Sequence, residues 1–131
     1  MKKQGVLQHR LAEVIAMMGH TDALVVGDAG LPVPAGVERI DLAVRPNLPR
    51  TMDVVEVVAT ELQVEQIVVA EEATARNPEF LAAVRAQFPG VPMLLVPHDE
   101  FKARSASARA VVRTGECSPY ANVLLISGVT F

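Results

Sequence analysis

The sequence predicts an α/β fold: a three-layer sandwich with a mostly parallel, mixed central sheet, Rossmann-like in its layering. Two observations carry that expectation. Short Val- and Leu-rich runs bounded by Gly, Pro and Asp alternate with longer segments whose apolar residues recur every three or four positions. Half of the residues are apolar but only 4% are aromatic, so the core is aliphatic, as in sheets covered on both faces. A chain of 131 residues without linker, repeat or low-complexity segment is expected to form one domain over 1–131, burying roughly two thirds of its extended-chain surface.

The elements follow in order. Val6, Leu7, Leu11, Val14, Ile15 and Met18 mark a helix from Val6 to Met18 with one buried stripe, stopped by Gly19. Ala23 to Val26 is a buried strand, and the Gly- and Pro-rich run 27–34 is a loop. Val37 to Ala43 partly alternates and reads as a strand with one side near solvent. Pro46 and Pro49 break the chain, after which Thr51 serves as N-cap for a helix carrying Met52, Val54, Val55, Val58 and Leu62. Its β-branched density is poor for an isolated helix, so packing must hold it.

Ile67 to Ala70 is a second buried strand, ending at Glu71 and Glu72. Asn77-Pro78 starts a helix with the stripe Phe80, Leu81, Val84 and Phe88, ended by Pro89-Gly90. Met93 to Val96 is a strand, 97–107 a short polar helix, and 110–113 and 123–126 are two closing strands. In such folds, polar residues just beyond the carboxyl ends of strands are where sites form. Asp28, Glu71 and His98 hold that position on three different strands.

Composition excludes several classes. Twelve basic against fifteen acidic residues, with no Lys/Arg cluster, leave nothing to neutralise a phosphate backbone, so no nucleic acid partner is expected. The polar residues Gln4, Gln8, His9, Arg10 and Glu13 interrupt any signal-peptide core, and no run reaches the ~18 apolar residues of a membrane span. The one cysteine, Cys117, has no internal disulfide partner, which fits a reducing compartment. No compact ligand spacing such as HExxH or paired CxxC gathers His20, His98, Asp28 and Glu71, and no metal is assigned. Cys117 lacks any local signature of a catalytic thiol.

Each remaining candidate has a chemical and a bland reading. His20 can donate and accept protons near neutral pH; equally it can interact with the preceding helix end. Asp28, flanked by Gly27 and Gly30, can bind hydroxyls or orient an imidazole, or it can close an Asx-turn. His98 is either a site residue or an exposed turn residue. Tyr120 can stack on a sugar ring and Asn122 both donates and accepts, although Ser118-Pro119 also suggests a plain strand-entry turn. The loop 27–30 lacks the ending of a phosphate loop and the dinucleotide glycine pattern.

Four blocks then carry a resemblance: Gly19-His20-Thr21-Asp22, 28–34, Ala70-Glu71-Glu72, and 115–122, together with the ending Gly128-Val129-Thr130-Phe131. In order and over the whole chain they resemble the ribose branch of the ribose pyranase and fucose mutarotase family. The fucose branch shares the Gly-His-x-Asp and Tyr-x-Asn elements, but the loop 29–34 and the block 116–122 look like the ribose branch. The resemblance implies a cytoplasmic isomerase that exchanges β-D-ribopyranose and β-D-ribofuranose without a cofactor. It implies His20 as proton donor, with Asp28, His98 and the Tyr120-Ala121-Asn122 segment binding sugar. It further implies a homodecamer of two pentameric rings with sites at subunit borders.

Both ring forms are hemiacetals of one open-chain aldehyde, so exchange requires a proton on the ring oxygen and removal of one from the anomeric hydroxyl. The donor expected is His20; the base is Asp28, His98 or water. The alternatives are a fucose-type mutarotase and a non-catalytic sugar-binding subunit of ribose uptake, whose hydrogen-bonding residues would look the same.

Overall fold

The computed structural model describes residues 1–131. Its six strands are β1 (Ala23–Gly27), β2 (Glu38–Asp41), β3 (Val64–Ala70), β4 (Met93–Val96), β5 (Ala110–Arg113) and β6 (Val123–Ser127). They form one sheet in the order β2-β5-β1-β6-β3-β4. β1, β2 and β5 run parallel, as do β3 and β4, while β6 lies antiparallel between β1 and β3. Five strands therefore point one way, and reversed β6 begins at the edge where the others end. The expected mixed sheet is present, and β6 makes it so.

The helices are α1 (His9–Met17), α2 (Thr51–Val58), α3 (Ala73–Arg76), α4 (Pro78–Gln87) and α5 (His98–Arg104), the last continuing into a 3₁₀ turn over Ser105–Ser107. The layers are unequal. On one face Leu11, Val14, Val55, Val58, Leu81 and Val84 from α1, α2 and α4 pack with Leu24, Val26, Ile67 and Leu125. On the other, Phe101 of α5 and Leu31 of the first loop cover Val25, Val68, Val111 and Leu124. Phe101 is fully buried, a side chain whose burial stabilises by roughly 1.5–3 kcal/mol.

Local chemistry moves several boundaries. The first helix starts at His9 rather than Val6, because the Gln8 side chain accepts the Leu11 N–H at 2.6 Å and caps it there. It ends at Met17 with an extended Met18, and Gly19 does not adopt the left-handed conformation of a glycine stop. Thr51 is the first helical residue of α2 rather than its cap; the cap is Arg50, whose N–H donates to Asp53 at 2.7 Å. That helix ends at Val58, and Leu62 packs from the following turn. β3 begins at Val64, three residues early, and α3 was not anticipated from the sequence pattern. For α4 the expectation holds: the Asn77 side chain accepts the Phe80 N–H, and Pro78 opens the helix.

Candidate functional site

At the carboxyl edge of the sheet, Asp28 and Asn122 form a reciprocal pair. The Asp28 N–H donates to Asn122 Oδ1 at 2.7 Å, and Asn122 Nδ2 donates to Asp28 Oδ2 at 2.8 Å. Gly27 makes this possible, since a Cβ there would stand 2.9 Å from Asn122 Oδ1 and 2.5 Å from Leu31 Cδ2. The other Asp28 oxygen accepts the Gly30 N–H at 2.9 Å. Asp28 thus closes the Asx-turn expected of it and in addition pairs with Asn122. Beside it lies an open depression of about 320 Å³ bordered by Asp28, Gly30, Glu116 and Ser118.

The segment 114–122 is anchored from behind. Glu116 is buried, and its carboxylate accepts the Thr51 N–H of α2, the Ser118 N–H and the Ser118 hydroxyl. The buried Thr51 hydroxyl donates to the Ala121 carbonyl at 2.9 Å, and Asn77 Nδ2 donates to the Pro119 carbonyl at 2.9 Å. These bonds hold Tyr120 at φ +55°, a backbone conformation sparsely populated outside glycine and retained where the surroundings over-determine it. Its ring meets His98 edge-on, with centroids 5.1 Å apart.

His98 opens α5, and its N–H donates to both oxygens of Glu72 at 3.0 Å. Of the acidic pair after β3, therefore, Glu72 engages the site while Glu71 stays exposed. The imidazole stacks on Phe101 at 6.1 Å. Its Nδ1 is buried without a hydrogen-bond partner. Cys117 is exposed and its thiol meets the Gly115 carbonyl, not a histidine.

His20 stands elsewhere. It precedes β1, at the opposite edge of the sheet, and the five residues of β1 at about 3.3 Å each separate it from Asp28 by roughly 16 Å. One chain therefore joins Asp28, Asn122, Tyr120 and His98 but not His20. The turn carrying His20 is well fixed. Asp22 Oδ2 accepts the Gly19 N–H at 2.8 Å and Arg109 Nε at 3.0 Å, and the Arg109 guanidinium with that N–H holds the Asp22 carboxyl below its ordinary range. Thr21 sits at φ +68°, its N–H bonded to the Ser127 carbonyl. The His20 imidazole does not cap α1; its Nε2 lies 2.9 Å from Glu65 Oε2.

Glu65 carries no signal in the sequence; Thr51 is read there only as a helix cap, Glu72 only as part of the acidic pair after a strand, and Glu116 only as part of the block 116–122. A lone Glu or Thr carries no periodic or spacing signal for its distant partner, and each of the four has one more than twenty positions away.

The family model of the RbsD / FucU transport protein family matches residues 1–130. The D-ribose pyranase of Symbiobacterium thermophilum is 56% identical over 131 residues, covering all of both chains. The structure of Bacillus subtilis RbsD complexed with D-ribose is 45% identical, covers all of both chains and superposes with a TM-score of 0.97. The fucose mutarotase of Streptococcus pneumoniae in complex with L-fucose shares the fold, with a TM-score of 0.79 and 23% identity over 93% of each chain.

Proposed function

The chain belongs to the RbsD / FucU transport protein family, and from that premise we propose that it is a ribose pyranase, an isomerase exchanging β-D-ribopyranose and β-D-ribofuranose. The observation that carries this reading is full-length identity of 56% with a D-ribose pyranase, supported by the Asp28–Asn122 and Tyr120–His98 pairs at one sheet edge. The ribose branch is favoured over the fucose branch by the same measure, 45% against 23% identity to the two sugar complexes.

The sugar sits against the Asp28–Asn122 pair, with Tyr120 and His98 beside it. Buried Nδ1 leaves His98 only Nε2 to offer a ligand. Through that nitrogen it can hydrogen-bond a sugar oxygen. Asp28, which borders the open depression, is taken as the acceptor of the anomeric proton. His20 protonates the ring oxygen. Since His20 lies at the far edge of its own sheet, the reading requires a second copy to bring its His20 to this cluster.

That requirement supports the homodecamer of two pentameric rings as the working assembly, together with Leu7, Met17 and Leu94 and Leu95 of edge strand β4, all exposed. No helix is long and apolar enough to cross a membrane. The free thiol of Cys117 is compatible with action in the cytoplasm, using no cofactor.

The test is saturation transfer by NMR between the ring forms of ribose, with wild type and with His20→Asn. Wild type is expected to accelerate exchange, and His20→Asn to lose about 10²–10⁴-fold while ribose affinity changes little. A wild-type protein that binds ribose without accelerating exchange is a sugar-binding subunit instead. Near wild-type exchange by His20→Asn places the donor elsewhere, with His98 next in line.

A further inference from the structure

We propose that Glu65 is a positioning residue for His20: its carboxylate accepts the Nε2 proton, so that Nδ1 is the nitrogen that protonates the sugar ring oxygen. This rests on the reading of His20 as the proton donor.

Two departures from regular backbone and one glycine converge on this pair. The pairing of β3 with β6 slips between Val64 and Gln66, placing Glu65 in a bulge, a device that re-aims a side chain. Thr21, next to His20, is held at φ +68° by the N–H bond to the Ser127 carbonyl at 2.8 Å. Across the strand end, Gly128 is bare where a Cβ would come within 2.9 Å of Glu65 Cβ and 3.3 Å of Oε2. Together they leave the carboxylate 2.9 Å from Nε2. The side chains of His20 and Glu65 are 54% and 39% exposed, and exposed ion pairs add little to stability. Stability alone is a poor reason for so much local irregularity.

The chemistry gives a better one. A carboxylate on one imidazole nitrogen fixes the ring's orientation and which nitrogen faces outward. In the proposed step the Nδ1–H bond of the imidazolium breaks as an O–H bond forms at the ring oxygen. The bond from the anomeric carbon to that oxygen breaks, its electron pair staying on the oxygen, and the anomeric hydroxyl loses its proton to Asp28. His20 is left neutral with Nε2–H still on Glu65, which remains ionised throughout. Reclosure through another hydroxyl runs the transfers backwards.

The experiment measures exchange kinetics of Glu65→Ala and Glu65→Gln in the full-length protein, each also combined with His20→Asn. Outer partners that orient metal-bound histidines are worth about 10–100-fold; by analogy kcat of Glu65→Ala is expected to fall by about that factor with KM changed less than about threefold. Added formate or acetate is expected to restore part of the loss by occupying the vacated position. In the His20→Asn background, Glu65→Ala is expected to cost nothing further, because the two residues act as one unit. Glu65→Gln keeps the volume beside Gly128 and serves if Glu65→Ala proves misassembled by circular dichroism or size; it too should lower kcat without moving KM. An equal loss in both backgrounds, or wild-type kcat in Glu65→Gln and Glu65→Ala, overturns the role of Glu65 while leaving His20 as donor. A fully active His20→Asn instead removes the reading beneath it.

Discussion

Replacing Asn122 by Asp probes the pair on which the carboxyl-edge site is built, because it changes one group and nothing in shape. In the wild type Asn122 Nδ2 donates to Asp28 Oδ2 at 2.8 Å; in the variant two carboxylates face each other there, one of them on a residue only 1% exposed. Two unit charges at 2.8 Å repel by about 6 kcal/mol at an effective dielectric constant of about 20. The cheaper course is to keep one proton on the pair. Holding a carboxyl of ordinary pKa near 3.9 protonated costs about 4 kcal/mol at pH 7 and about 1.5 kcal/mol at pH 5. The shared proton then rebuilds the lost hydrogen bond. Because the folded variant binds one more proton than the unfolded chain in this window, its stability falls as pH rises through it. Asp28 is half-buried and can swing partly into water, so these figures are ceilings. Urea unfolding of Asn122→Asp and wild type at fixed protomer concentration is expected to show a deficit of about 2–4 kcal/mol at pH 7, shrinking to about 1 kcal/mol at pH 5. A deficit independent of pH, or none at pH 7, would refute the reciprocal pair.

Thr51→Val should cost about 1–3 kcal/mol in urea unfolding, because it leaves the buried Ala121 carbonyl without its donor; an unchanged midpoint would mean that the anchoring of 114–122 lies elsewhere. Asp22→Asn should destabilise at pH 7. The depressed Asp22 carboxyl stabilises the fold above its ordinary value near ~4 and loses that contribution as pH falls through its lower folded value, so the gap between wild type and variant should narrow as pH falls below ~4, a trend thermal melts can check. Ribose 5-phosphate should not compete with ribose in the NMR exchange assay, since Arg113 is occupied by Asp41 and the Ala29 carbonyl. If it does compete, Arg45, which borders the same concavity as Ala29, becomes the phosphate contact to mutate. Sedimentation at micromolar protomer should show a ring-sized oligomer; a stable active monomer would sink the two-copy site.

The sequence alone determined what depends on local pattern. Apolar periodicity and turn residues located every strand and all helices but the four-residue α3, and the Gly-, Pro- and Asp-rich blocks marked the loops that hold Asp28, His98, Tyr120 and Asn122. Where boundaries slipped, a single side chain competed with the pattern, as Gln8 did by capping α1 and Asp53 by accepting the Arg50 N–H, which puts the cap of α2 one residue before Thr51. Tertiary structure alone decided which residues meet. The reversal of β6 brings Asn122, 94 positions away, onto Asp28, and the same strand order sends His20 to the opposite edge, beside Glu65. Strand direction and neighbour order are set by packing between distant segments, and no periodicity within a segment encodes them.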